Sequence, residues 1–434
     1  MKKGIAFAGL FALMFALLIG CSSNGGGSLS NVEELNKEPD QASDEQIVLR
    51  FWLRGNPEAP IVKSLVADMK AYEEVNPNVK FEYEVIAVQD VETKWNAAFA
   101  GGTAPDIFDA GIVHIAARAN LNQFIPLDDY INAWAEKDDI HDIVYEQGKF
   151  NGKVYGLGFG PGTYVFAYRK DFFEEAGLDP ESPPQNWEQL KVYSDLLTIR
   201  EGDTVVRSGF DVARSDLIIA EIFAWQNGGK LVDLEQGKPT LDDPAVIEAI
   251  EFLVDELIPN SIPFPSMQNF EQFPFMNGKA AMTYINQDTI LNIINENPDW
   301  AENIGVVSNV PGKVPATFSG MRAFAISSTS KYKDEAWKFI EFAMSKERMS
   351  VRMKDYTVPP VRKSLQDEYI DLNPQFNRAF AEAVAIGYGR PPVTWSPLYT
   401  KYAQMGYEEA AFGAKTAEQA MKDAMTNLLR EIGQ

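Results

Sequence analysis

Histidine and cysteine, the side chains most often recruited for nucleophilic or metal chemistry near neutral pH, are almost missing from this chain of 434 residues. The histidines are His114 and His141, and the one cysteine is Cys21. No zinc site and no Cys-His nucleophile pair can be assembled from that set. A Ser-His-acid triad would have to use one of the two histidines, and no G-x-S-x-G elbow presents a serine. Ser328-Thr329-Ser330-Lys331 has the S-x-x-K spacing of penicillin-recognising enzymes, but the partner K-T-G is missing. Those hydroxyls suit the cap of a helix beginning nearby. Gly156, Gly158, Gly160 and Gly162 alternate, which is not G-x-G-x-x-G, and no P-loop lysine follows. A hinge or a close backbone approach is the better use for them. With 62 acidic residues some carboxylate pair always falls within glycosidase range, so abundance decides nothing and an exported glycoside hydrolase stays open. Nothing in this inventory asks for a metal or a cofactor.

The elements that must position any site follow an α/β grammar. Ile47 to Leu53 is a compact apolar run suited to a strand covered on both faces. From Ala59 to Val75, Ile61, Leu65, Met69 and Tyr72 recur at helical spacing until Asn76-Pro77 stops the helix. Val79, Phe81, Tyr83 and Val85 then alternate with Lys80, Glu82 and Glu84, a strand with one solvated face. A helix over Val91 to Phe99 and a strand over Ile107 to Asp109 repeat the unit. Asn151-Gly152 marks a hairpin. Ala336, Phe339, Ile340, Ala343 and Met344 form one helical stripe behind Asp334 and Glu335, and the tail after Asn373 is helix-rich. About 390 residues after position 46 exceed one hydrophobic core and predict two lobes.

The first residues read as a targeting segment. Lys2 and Lys3 precede an apolar run from Ile5 to Ile19, shorter than the roughly 20 residues that span a bilayer. Leu18-Ile19-Gly20-Cys21 resembles the lipobox of bacterial lipoproteins, in which the cysteine is acylated and becomes the new N-terminus. Residues 22–46 are Gly/Ser-rich and then acidic, the composition of a flexible tether. The formal net charge is −23, and −25 without Lys2 and Lys3. That balance argues against nucleic acid and against a polybasic grip on lipid.

Five stretches then appear in a telling order: Phe99 to Ile107, Asn151 to Leu157, Tyr168 to Leu178, Phe275 to Met282, and Phe318-Ser319-Gly320 leading to Phe324–Ser327. Together the chain resembles family 1 extracellular solute-binding proteins, the receptors of sugar-importing ABC transporters. The resemblance implies two discontinuous α/β lobes of the periplasmic-binding-protein type, joined by a multi-strand hinge with a ligand cleft between them. It implies lobe 1 over 47–160 and 322–360, and lobe 2 over 161–321 and 361–434. Crossings are expected near Gly160–Thr163, Gly320–Arg322 and Pro359–Arg362. The implied function is capture of a mono- or oligosaccharide by a monomer, lipid-anchored through Cys21 on the outer face of the cell membrane, for delivery to an ABC permease. A binding protein for another solute and a non-transporting adhesin are the further alternatives.

Sugar recognition needs aromatic faces against pyranose C–H groups and planar polar side chains for the hydroxyls. Trp395, in a proline-rich loop where the family carries a stacking tryptophan, is the expected aromatic platform. Arg54 and Asn56 follow the first strand at its carboxyl end, as do Asp109 and Gly111 after the third, where open α/β sheets bind ligands. Asp106 is expected to tie its loop, and Trp52 and Trp225 to be core. Tyr164 lies at the first crossing, where Gly162 and Thr163 replace an acid common in the family. Asn286 and Asp288 stand where the family's maltose-binding members have a tryptophan, and Ser319, Gly320 and Met321 sit at the return crossing. The acidic groups favour a neutral ligand, unless Arg54 or Arg322 points inward.

Overall fold

The computed structural model describes residues 46–434 apart from 234, 235, 268 and 270. The expected signal sequence, the Cys21 anchor and the tether up to residue 45 lie outside the described residues. β1 (Ile47–Arg54) and β2 (Val79–Ile86) pair in parallel, Ile47 opposite Val79 and Arg54 opposite Ile86. They are joined by α1 (Pro60–Val75), which starts on a proline whose missing N–H is not needed there and ends at Asn76. Both faces of β1 were expected to be covered, and this is corrected. Leu49, Phe51 and Leu53 are fully buried under α1, but Arg50 is exposed and Trp52 half-buried on the other face. That second face has only a smaller cluster around Trp95, Phe108 and Phe124 to cover it.

Ten strands form one mixed sheet. The others are β3 (Ile107–Gly111), β4 (Leu157–Arg169), β5 (Ile199–Glu201), β6 (Thr204–Phe210), β7 (Ala280–Asn286), β8 (Ile304–Val307), β9 (Thr317–Ile326) and β10 (Gly387–Tyr388). The order is β2-β1-β3-β9-β4-β7-β6-β5, with β8 also on β4 and β10 on β9. One large apolar cluster holds Leu49 to Phe159 and Met321 to Leu365; another runs from Tyr164 to Ala316 and on through the C-terminal helices to Leu428. β4 and β9 are the strands that pass from one cluster to the other. They pair antiparallel there, Thr163 opposite Ser319 and Gly160 opposite Arg322, with a register shift after Arg322. Met349, Val361 and Leu365 pack in the first cluster while Met353 packs in the second.

The alternating glycines are explained mainly by close approach. A Cβ on Gly158 would lie 1.9 Å from Met321 Sδ, and one on Gly156 would lie 2.6 Å from Ile115 Cδ1. Gly162 is different, since nothing comes within 3.4 Å of its Cβ direction and it faces open space. The hairpin forms at Asn151-Gly152, both with positive φ. The helix carrying the Ala336–Ala343 stripe is Lys333–Ala343, but no serine or threonine caps it. Ser330 Oγ instead accepts from Tyr332 N at 3.0 Å and donates to Asp106 Oδ1 at 2.6 Å, so the hydroxyl ties two loops together. Asp106 also accepts from Arg50 N at 2.8 Å, which holds its loop against β1.

Candidate functional site

A cavity of about 390 Å³ opens where β4 and β9 cross. Its first wall is built at the carboxyl ends of β1 and β3, from Arg54 and from Gly111, Ile112 and Val113 at the start of α2 (Ile112–Asn120). Ile61 of α1 adds an apolar edge, one position off the fully buried line of Val62, Leu65 and Met69. The floor is Gly160 to Tyr164 of β4 and Phe318, Gly320, Met321 and Arg322 of β9. The second wall brings Ile218 of α3 (Leu217–Gln226), Asn286, Gln287 and Asp288 at the start of α4 (Gln287–Glu296), Phe380 and Arg390. Tyr356 to Pro359 close one side.

Of the residues singled out by sequence, Arg54, Gly111, Tyr164, Asn286, Asp288, Gly320 and Met321 lie on the cavity surface. Asp109 and Ser319 stand directly behind it. Asp109 is fully buried, and its carboxylate accepts from Arg54 N at 3.0 Å and from Arg322 Nε at 3.1 Å and Nη2, with Arg54 Nε at 3.6 Å. Ser319 Oγ lies 2.8 Å from Thr163 Oγ1, locking the two crossing strands side by side. The structure does not bring Asn56 or Trp395 to the cavity. Asn56 is exposed and accepts from Glu58 N at 2.9 Å in a local turn. Trp395 is the residue before helix α5 (Ser396–Ala411) and packs against the second apolar cluster. Trp225 is buried, stacked on Phe318 and Tyr388, and so backs the cavity floor.

Sequence reasoning missed Arg390, Glu221 and the aromatic set Phe318, Tyr356 and Phe380. Arg390 belongs to the same proline-rich loop as Trp395, so the loop was legible and the inward residue was not. Its Nε donates to both oxygens of Glu221, at 3.0 and 3.2 Å, and Tyr399 donates to Glu221 Oε1 at 3.0 Å. A buried acid inside the apolar helix α3 was the available signal, because a charge is kept there only with a partner. Burial pushes the Glu221 carboxyl up, with Arg390 opposing. Asp288 is open to the cavity but flanked by protein; that desolvation raises its carboxyl above the usual range, with Arg322 opposing. Asn286 spends its side-chain oxygen capping α4, accepting from Thr289 N at 3.0 Å. Burial and the neighbouring Arg322 lower the Arg54 guanidinium to about 10, with Asp109 opposing both. The cavity therefore joins aromatic side chains to planar hydrogen-bonding groups, the mixture that holds small polar solutes. Among the described residues no cluster of three or more metal-ligating side chains is present, and no helix is long and apolar enough to cross a membrane.

Comparison with known proteins agrees with this architecture. The chain is 25% identical over 358 residues to a maltotriose-binding protein of Pyrococcus abyssi, covering 79% of this chain and 72% of the relative. A solute-binding protein of an ABC transporter from Thermotoga lettingae, bound with α-D-tagatose, superposes with a TM-score of 0.76 at 22% identity, over 88% of this chain and 99% of that one. The GacH receptor of Streptomyces glaucescens, studied with acarbose, gives 0.76 at 21% identity, over 88% and 97%. These likenesses show the two-lobe fold of periplasmic binding proteins, in which discontinuous lobes joined by crossing strands enclose a cleft. Membership of an extracellular family of binding proteins places the chain outside the cytoplasm. With residues 68–381 matching its family model, the chain belongs to the family described as bacterial extracellular solute-binding protein.

Proposed function

We propose that this chain is the extracytoplasmic substrate-binding subunit of an ABC importer, and that it captures a mono- or oligosaccharide. The observation that carries the reading is the cavity at the β4–β9 crossing, where Tyr164, Phe318, Tyr356 and Phe380 stand beside Arg54, Asn286, Gln287 and Arg390. Its volume of about 390 Å³ suits a small carbohydrate. The maltotriose, tagatose and acarbose ligands of its relatives support the same class. Hydrolysis is disfavoured because Asp288 is the single carboxylate among the described lining residues, whereas glycosidases set two across the scissile bond.

In this reading the lobes are 47–160 with 322–365 and 161–321 with 366–434. The last boundary moves from 360 because Val361 and Leu365 pack in the first cluster. Rotation about β4 and β9 closes the lobes over ligand. The closed monomer then docks on a membrane permease while Cys21 keeps it tethered. No cofactor and no catalytic residue take part.

The test is thermal unfolding of the purified full chain against mono- and oligosaccharides, amino acids, polyamines and glycerol phosphates. A ligand at a hundred times its dissociation constant adds about 2.7 kcal/mol, enough to move the midpoint by several degrees. A shift with sugars is expected. A shift only with a non-sugar would remove the carbohydrate assignment and keep solute capture.

A further inference from the structure

The two arginines of the first wall share one carboxylate. Asp109 is the ion-pair partner of both Arg54 and Arg322, and it has no exposed surface of its own. Arg390, on the opposite wall, is the one guanidinium paired with Glu221. Two guanidiniums against one buried carboxylate leave one positive charge in excess on the first wall, faced across the cavity by Asp288. Arg322 uses Nε and Nη2 on Asp109 and the Arg54 carbonyl. Arg322 Nη1 and both Nη atoms of Arg54 make no hydrogen bond among the described residues, and the two side chains keep 17% and 19% exposure, toward the cavity they line.

The surroundings reinforce that excess. The Arg54 guanidinium lies flat on the backbone of Gly111, where a Cβ would stand 3.3 Å from its Cζ. A side chain at 111 would make the guanidinium give way by a few tenths of an ångström. α2 starts at the same point, and no side chain caps its first turn, so its N–H groups add partial positive charge to the same wall. Unused planar donors next to a helix start form a receptor for a planar or tetrahedral anion.

We propose that Arg54 and Arg322 form an anion subsite of the cavity, so that the captured carbohydrate carries a carboxylate or phosphate group. This rests on the sugar-capture reading above and narrows it to acidic sugars. The residue that opposes it is Asp288, facing the same space from α4. A bound anion sets that carboxylate against a like charge, so removing its charge sharpens the preference.

The test is calorimetric titration of the purified full chain with matched pairs, galacturonate against galactose and glucose 6-phosphate against glucose, with maltotriose as a neutral oligosaccharide. An anionic sugar is expected to bind about 100-fold more tightly than its neutral parent, as charge-assisted bidentate contacts allow. The uronate and phosphate arms decide which anion is meant. Arg54→Gln should erase most of the preference, Arg54→Lys should keep part of it, and Asp288→Asn should tighten anion binding. Raising salt from about 50 to about 500 mM should weaken the anionic ligands alone, a readout that holds even where a variant fails to fold. Equal or tighter binding of the neutral parents overturns the anion subsite and leaves sugar capture intact. A preference that survives Arg54→Gln overturns the role of the pair. Binding of neither set overturns both readings.

Discussion

The two walls of the cavity solve one problem differently. Each holds arginine at its surface by a fully buried acid, Asp109 behind the first wall and Glu221 behind the second. Glu221 serves one guanidinium and is also satisfied by the Tyr399 hydroxyl, so the Arg390–Glu221 pair is closed and the second wall's remaining charge is the Asp288 carboxylate. Asp109 serves two guanidiniums and a backbone N–H, so the first wall is left with unspent positive charge and unspent donors. A buried carboxylate can therefore either neutralise a cation or merely aim it. The ratio of guanidiniums to carboxylates separates the two cases.

Substitutions can break that comparison. The largest effect is expected from Asp109→Ala, which leaves two neighbouring guanidiniums without their shared anion. It should cost about 3–5 kcal/mol of stability, read by urea unfolding. A loss below about 1 kcal/mol would mean that the first wall is held by packing alone. Glu221→Gln keeps the shape of the second wall and one acceptor for Tyr399, so the smaller cost of about 1–3 kcal/mol is expected from the same measurement. If it equalled or exceeded the first, the contrast between the walls would be lost. Trp395→Ala removes packing behind the second wall and should lower stability by about 1–3 kcal/mol while leaving ligand affinity within about threefold. A tenfold loss of affinity without a stability change would put Trp395 on the ligand. Asn56→Ala, in the exposed loop beside the first wall, should stay within about 0.5 kcal/mol and leave binding alone. Any clear loss of binding would show that the loop folds over the ligand.

The ends of elements were legible because local chemistry decides them. Pro77 stops α1, Asn151-Gly152 turns the hairpin, and the spacing of Phe339, Ile340 and Ala343 buries one side of a helix without reference to anything remote. The loops that build the cavity were legible for a related reason, since strand ends in an α/β sheet gather on one edge. Which residue of each loop turns inward was not. Ser330 was read as a cap and bonds to Asp106, which lies 224 positions earlier. In the loop running from Arg390 to Trp395, charge rather than ring size chose the inward residue, because Glu221 on a distant helix draws Arg390 to it.

The amino-acid sequence by itself determined the α/β order, the two cores, the scarcity of nucleophilic and metal-binding side chains, and the family. The first three rest on chain length, composition or periodicity within a few residues, where side-chain direction follows from backbone geometry, and the family rests on the resemblance carried by five motifs in order. Tertiary structure alone decided the electrostatics of the site. Arg322 meets Asp109 across 213 positions and Arg390 meets Glu221 across 169. Pairings at that range exist only once the sheet has assembled, when burial makes an unpartnered charge costly enough to select its neighbour.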